Sequence, residues 1–327
     1  MNLFVDKIDA KNSLKAHAFD TWAAPFGRCL MPPGDCNKAP VRAHSLQRQG
    51  PVRLLNVDGH VVMLCQHIYA DAPPRISFER VGIRNATVFT GLCGDHDASL
   101  FRPIETNVLD LGNPEHLFLL AYRAVLRETH VCLEAATRLQ SVYLKKISLG
   151  LGDANNPTRA DLFVVHRLIV AYETWLYKTL IDEAFQNRNS AGLQHDIIDL
   201  GQTGPCIAVS SLFSLDDVRV KDDFARVSLT IIPTPKRHTV AVISYIRRDA
   251  RKARVRLRSV LHARGERQRY LLSRLVLERS DNIVFNPAIV EQFSAEQRRI
   301  IVRFFEATVL RNDKEYQDDR LNLFNAA

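Results

Sequence analysis

Two short turns carry the side chains with the clearest chemical potential. Cys29 and Cys36 bracket a loop that contains Pro32, Pro33 and Gly34, and Cys93 and His96 stand together in Leu92-Cys93-Gly94-Asp95-His96-Asp97. Two turns that each offer two soft ligands, separated by a longer insert, build one tetrahedral zinc site from distant segments. Zinc takes thiolates and imidazoles at about 2.0 to 2.3 Å, so each turn supplies half of the tetrahedron. The Cys93/His96 half has the usual tight spacing. The Cys29/Cys36 half is wider, and its prolines and glycine allow the loop to fold back on itself. Both pairs lie in turn-rich sequence, where buried core cysteines are out of place. Cys29, Cys36, Cys93 and His96 are therefore expected to hold one structural Zn2+. The plainer reading is of ordinary buried thiols beside a loop histidine. Cys65 and His67, two apart on one strand face, rank second as a source of ligands.

The elements that must position these residues belong to a chain of 327 residues, long enough for two or three cores. Its formal net charge is +8, from 44 basic against 36 acidic side chains, which points to polyanionic partners, nucleic acid first. The six cysteines are spread along the chain unlike those of a small secreted disulfide scaffold. The first residues lack the layout of a signal peptide, and no apolar run approaches the ~20 residues of a membrane span. A cytoplasmic protein with reduced thiols and no membrane association is expected.

Residues 1–28 read as a wrap around the zinc module. Ala43 to Arg48 runs into a short helix interrupted at Gly50-Pro51. His60 to Leu64 reads as a strand after the Asp58-Gly59 turn, and His96 to Phe101 as a short helix stopped before Pro103. From Pro114 the period becomes helical through Leu117, Leu120, Ala121, Ala124 and Val125 to about Lys146. A second helix is expected over about 158–185, giving an antiparallel hairpin with Cys132 as a core thiol. Residues 188–192 form a linker. Three β-rich runs follow, at 205–213, 225–232 and 238–246, with Pro233 to Arg237 as a hairpin turn. In the second run Val227, Leu229 and Ile231 alternate with Arg226, Ser228 and Thr230, the pattern of a sheet with one wet face. Helix returns from about Arg247, and Ser294 with Gln297 signals a capped final helix. The expected fold class is α+β: a treble-clef zinc module over 1–106, a helical hairpin over 107–190, and an α+β domain over 191–327 with an antiparallel sheet covered by helices.

The series Cys29…Cys36, Ala43-His44-Ser45 and Leu92-Cys93-Gly94-Asp95-His96-Asp97 resembles the treble-clef zinc modules of HNH-type endonucleases. The resemblance covers residues ~26–104. It implies a general base at His44, a second-knuckle zinc ligand at His96 and a catalytic-metal ligand at Asp97. His60 is a further candidate beside that ion; its plainer role is a strand-end histidine bonded to backbone. The implied chemistry is coherent. A divalent ion, Mg2+ or Mn2+, polarises the phosphate and stabilises the leaving oxygen while an imidazole takes the proton of water.

From Arg247 to Arg279 twelve Lys or Arg side chains face three acids, Asp249, Glu266 and Glu278. Arginine dominates, which suits bidentate phosphate contact. In a continuous helix Arg247, Arg251, Arg254 and Arg258 share a face, with Arg248 alongside. This segment is the expected nucleic-acid surface; a solvated helix paired with acids elsewhere is the plainer account. Two function classes follow: a metal-dependent HNH-like endonuclease, or a non-catalytic zinc-finger protein that binds nucleic acid or a protein partner. A homo-oligomer stays open. No phosphate loop, dinucleotide-binding glycine fingerprint or nucleophile elbow is present to support a small-molecule enzyme.

Overall fold

The computed structural model describes residues 3–24, 26–32, 34, 36–67, 74–106, 108–215, 225–310, 313 and 316–324. Pro33 of the first ligand loop lies outside these residues. In chain order the helices are α1 (Leu3–Ala23), α2 (Arg53–Leu55), α3 (Gly94–Thr106), α4 (Pro114–Ser148), α5 (Arg159–Gln186), α6 (Ala250–Arg256), α7 (Arg258–His262), α8 (Gly265–Arg279), α9 (Pro287–Gln292) and α10 (Ala295–Phe305). The strands are β1 (Ala43–His44), β2 (His60–His67), β3 (Arg75–Gly82), β4 (Val88–Phe89), β5 (Leu193–Asp199), β6 (Ile207–Ser214), β7 (Arg226–Pro233), β8 (Thr239–Ile246) and β9 (Ile283–Phe285). The fold mixes helix with an antiparallel sheet, in keeping with the α+β class.

The chain forms two compact units, each discontinuous in sequence. The first comprises Met1–Ala43, Phe89–Asp97 and Leu126–Gln186; the second comprises His44–Val88, Ala98–Val125 and Asn187–Ala327.

In the first unit the helical hairpin predicted from periodicity is present as α4 and α5. Cys132 and Ala136 of α4 pack with Ala171 of α5. Burial pushes the Cys132 thiol up to about 12, so it is a core group. Asp161, in the first turn of α5, accepts from Lys146 Nζ (2.7 Å) and from Thr158 N (2.9 Å) and Oγ1 (2.7 Å), which fastens the hairpin end. Residues 1–28, expected as a wrap, are mostly the helix α1. It meets α4 through His17 Nε2 and Ser141 Oγ at 2.9 Å, and the Arg138 guanidinium lies over the Trp22 ring.

The second unit is built on a seven-stranded sheet in the order β3-β2-β9-β6-β7-β8-β5, every neighbouring pair antiparallel. The three β-rich runs and the hairpin turn fall where the residue pattern put them. One expectation fails: β7 has no wet face. Arg226, Ser228 and Thr230 are as buried as the aliphatic residues between them. One face carries the large core of Val227, Leu229, Ile231, Ile243, Leu272 and Phe304. The other is covered too, for Leu117 in the first turns of α4 packs on Val240 and Val242. Small hydroxyl side chains tolerate such burial when they bond locally, as Ser228 Oγ does to Ser244 O (3.4 Å). The helix expected from Arg247 is broken at Leu257 into α6 and α7, and α3 continues through Pro103 rather than stopping before it. Ser294 and Gln297 form the full capping box at the start of α10.

Candidate metal centre

The first ligand turn folds back through the bond from Gly34 N to Met31 O (3.0 Å), with Gly34 at φ 103°, a conformation that favours glycine. The strand-like passages on either side of the loop pair with the residues before Cys93. Leu30 N donates to Gly91 O and Val41 N to Leu92 O, both at 2.8 Å, and Pro40 bridges Cys93. Helix α3 starts directly after Cys93, whose carbonyl accepts from Asp97 N at 2.9 Å. That turn brings His96 back over Cys93.

The result is a convergence of four ligand atoms, one each from Cys29, Cys36, Cys93 and His96, all within 4.8 Å of one another. Among the described residues it is the one group of three or more such side chains close enough to share an ion. Cys36 Sγ and Cys93 Sγ are 3.8 Å apart, and His96 Nδ1 is 3.4 Å from both Cys29 Sγ and Cys93 Sγ. A tetrahedron with metal–sulfur bonds of about 2.3 Å has sulfur–sulfur edges of about 3.8 Å, and slightly shorter sulfur–nitrogen edges. These three spacings match those edges. Cys29 and Cys93 are buried while Cys36 and His96 are half-buried, so the cluster sits just under the surface.

The surroundings favour thiolate at Cys93 and oppose it at Cys29. Burial alone disfavours the Cys93 anion. The amide groups of His96 and Asp95 at the start of α3, with the Cys36 and Cys29 thiols, more than offset this and hold its pKa below the ordinary value. Burial raises the Cys29 thiol, against bonds from the Cys93 and Met31 amides. The Cys93 N–H points at Cys29 Sγ at 3.3 Å, the kind of outer contact that orients a ligating sulfur. Lys38 pairs with Asp95 across the two turns at the surface.

No family model matches the chain, and no curated protein or solved structure matches it significantly. The reading of this centre rests on its own geometry.

The other sequence-derived site residues distribute as follows. Asp97 lies in the first turn of α3, in the first unit. His44 belongs to the second unit, where its Nδ1 is 2.8 Å from Ala86 O. A carbonyl can only accept, so Nδ1 carries the proton and the lone pair of the neutral ring is on Nε2. Ser45 is fixed beside it: its amide and hydroxyl both donate to Thr87 O, at 2.9 and 3.1 Å. Asn282 then donates through Nδ2 to Ser45 Oγ (2.8 Å) and Ser210 O (3.0 Å), and is itself 2% exposed. Nothing in the spacing of the sequence marked Asn282, which lies 237 residues from Ser45. His60 opens β2, exposed, with Nδ1 2.8 Å from Asp58 O, the backbone-bonded strand-end arrangement. Cys65 and His67, the second-ranked ligands, lie on β2. There His67 Nε2 meets Glu79 Oε1 at 2.5 Å and Ser77 Oγ at 3.1 Å.

The basic segment is less uniform than its spacing. Arg254 is engaged by Asp196, with Nη2–Oδ1 at 2.7 Å and Nε–Oδ2 at 3.1 Å, and by Tyr245 Oη at 2.9 Å. The Asp196 hydrogen bond raises its pKa further, and Arg254 ties α6 to β5 and β8. Arg247 Nε donates to Ala191 O at 2.9 Å. Arg248, Arg251 and Arg258 are exposed, with Arg258 on the far side of the break at Leu257.

A groove of about 690 Å³ runs beside the Cys29 loop, lined by Arg28, Met31, Leu168, Tyr172, Trp175 and Lys178 among others. Lys178 is buried at its wall, with Nζ 2.5 Å from Asp182 Oδ2; burial lowers its pKa and the aspartate resists that.

Proposed function

We propose that Cys29, Cys36, Cys93 and His96 hold one structural zinc. We further propose that the protein acts on nucleic acid as a metal-dependent endonuclease of the HNH type, with His44 as general base. The zinc assignment is supported by the tetrahedral edges of the cluster and its sulfur-rich donor set, which favours zinc over magnesium or calcium. The observation that carries the nuclease reading is the bond between His44 Nδ1 and Ala86 O, which fixes the tautomer a proton-accepting Nε2 requires. Asp97 is the proposed ligand of a catalytic Mg2+ or Mn2+, and His60, whose Nδ1 is likewise bonded to backbone, is the second candidate for that chemistry. The ion would absorb charge on the phosphate.

The test is nicking of supercoiled plasmid with and without Mg2+ or Mn2+. His44→Ala should abolish metal-dependent cleavage while zinc content and far-UV circular dichroism stay unchanged. Loss of zinc in this variant, or cleavage that survives it, overturns the assignment.

A second reading, a non-catalytic zinc protein that binds nucleic acid, is favoured by the exposed guanidinium groups of Arg248, Arg251 and Arg258. It predicts salt-dependent binding that His44→Ala leaves untouched.

A further inference from the structure

Helix α5 is apolar on more than one side. Val164, Ala171, Tyr177 and Ile181 are buried, and Ala171 packs on α4. A second row, Leu162, Val165, Ile169, Tyr172 and Leu176, advances by alternating three and four residues and so forms a single seam at heptad spacing. These five side chains are 55, 50, 50, 59 and 40% exposed. Trp175 flanks the seam, its ring 6.3 Å from that of Tyr172 and tilted by only 24°. A helix that is hydrophobic all round needs cover on all sides, and scattered exposure does not produce a heptad row.

We propose that this seam is a homodimer interface, in which α5 packs antiparallel against α5 of a second copy across a two-fold axis near Ile169. Three observations select a second copy. First, the seam is slender at its start, with Leu162, Val165 and Ile169, and broad at its end, with Tyr172, Trp175 and Leu176. An antiparallel two-fold sets the broad half of each copy on the slender half of the other, which is what a self-complementary surface requires.

Second, His166 and Glu173 stand seven residues apart along one edge of the seam, and the axis brings each beside the opposite group of the other copy. Antiparallel helix dipoles add to this match. Third, six large side chains, each about half exposed, offer roughly 100 Å² apiece. The seam then removes about 1,200 Å² in total from solvent, the lower bound for a specific interface. The dimer needs neither the metal nor the nuclease chemistry.

The decisive measurement is sedimentation velocity of the full zinc-loaded chain at concentrations on the order of 10 µM, where an interface of this size with a Kd of ~1–10 µM is populated. The expected species has twice the chain mass. Ile169→Glu places like charges on the axis and should weaken association by at least ~100-fold, leaving far-UV circular dichroism unchanged. As a second readout that does not depend on Ile169→Glu folding, Ile169→Cys should cross-link to its copy under glutathione disulfide to a degree wild type does not. Phe163→Cys, about 120° round the helix from the seam, should not cross-link. A monomer at that concentration, a dimer indifferent to Ile169→Glu, or equal cross-linking through Phe163→Cys overturns the proposal. A monomer that instead captures a helix from another protein does the same.

Discussion

Removing the metal from the Cys29–Cys36–Cys93–His96 cluster should destabilise the first unit by an amount that can be worked from its connectivity. An ion shared by Cys36 and Cys93 ties residues 57 positions apart, and one shared by Cys29 and His96 ties residues 67 apart. Treated as a cross-link, closing a loop of that length restricts the unfolded chain by about 4 kcal/mol at 25 °C. The two loops overlap, so the second adds little. The backbone bonds from Leu30 to Gly91 and from Val41 to Leu92 contribute about 1 kcal/mol each and do not replace the ion. A loss of about 4 kcal/mol lowers the melting temperature by roughly 15–20 °C in a unit of this size.

The assay is a thermal melt before and after treatment with a zinc chelator, with metal content measured by mass spectrometry. One zinc per chain, a drop of that order and recovery on back-titration are expected. His96→Ala should reproduce the chelated melt and be insensitive to chelator. A protein that holds no zinc, or one whose melt is unmoved by chelation and by Cys36→Ser, would refute the reasoning.

Three further predictions follow from single side chains. Asn282→Ala leaves the Ser45 clamp without its donor in a fully buried site, so urea denaturation should show a loss of about 1–3 kcal/mol. Burial, with Arg127 and Arg138 nearby, pushes His130 down to about 4, below its ordinary 6.5. The unfolded chain therefore binds a proton between those values that the folded one refuses, and stability should fall as pH drops from about 6.5 to about 4, by up to ~3 kcal/mol. Equilibrium unfolding of His130→Gln should lack this share of the acid limb. Arg251→Glu should weaken nucleic-acid binding and flatten its salt dependence with little change in melting temperature. Arg254→Ala, by releasing Asp196 and Tyr245, should lower the melting temperature instead.

What could be read in advance was what depends on local pattern. The periodicity of α4 and α5, the three β-branched runs of β6 to β8, and the Ser294–Gln297 box all report on neighbours a few residues away. The convergence of Cys29, Cys36, Cys93 and His96 was legible because few other roles suit three cysteines and a histidine in turns. Helix α1 was missed because its apolar residues, such as Ile8, Phe19 and Trp22, do not gather on one face and stay largely exposed. Strand β5, with His195, Asp196 and Asp199 among its seven residues, carries too few apolar side chains to stand out before β8 pairs with it. The buried polar rows of β7 were misjudged because alternation tells which residues share a face, not what covers that face. Asn282 was invisible for the same reason: its partners, Ser45 and Ser210, are neighbours only in the folded sheet.

The position of β9 bears on how the protein is made. Residues 283–285 are inserted between β2, at Val62 and Met63, and β6, at Ile207 to Val209. During synthesis, at about 5–20 residues per second, the β2–β3 hairpin and the β5–β8 group emerge first as two half-sheets. Each carries a bare edge, on β2 and on β6, until the ribosome has released Phe285. For those seconds the nascent chain presents two strand edges ready to pair with a neighbouring chain. A pause in translation before this point should raise aggregation, and chaperones that shield strand edges should matter most there.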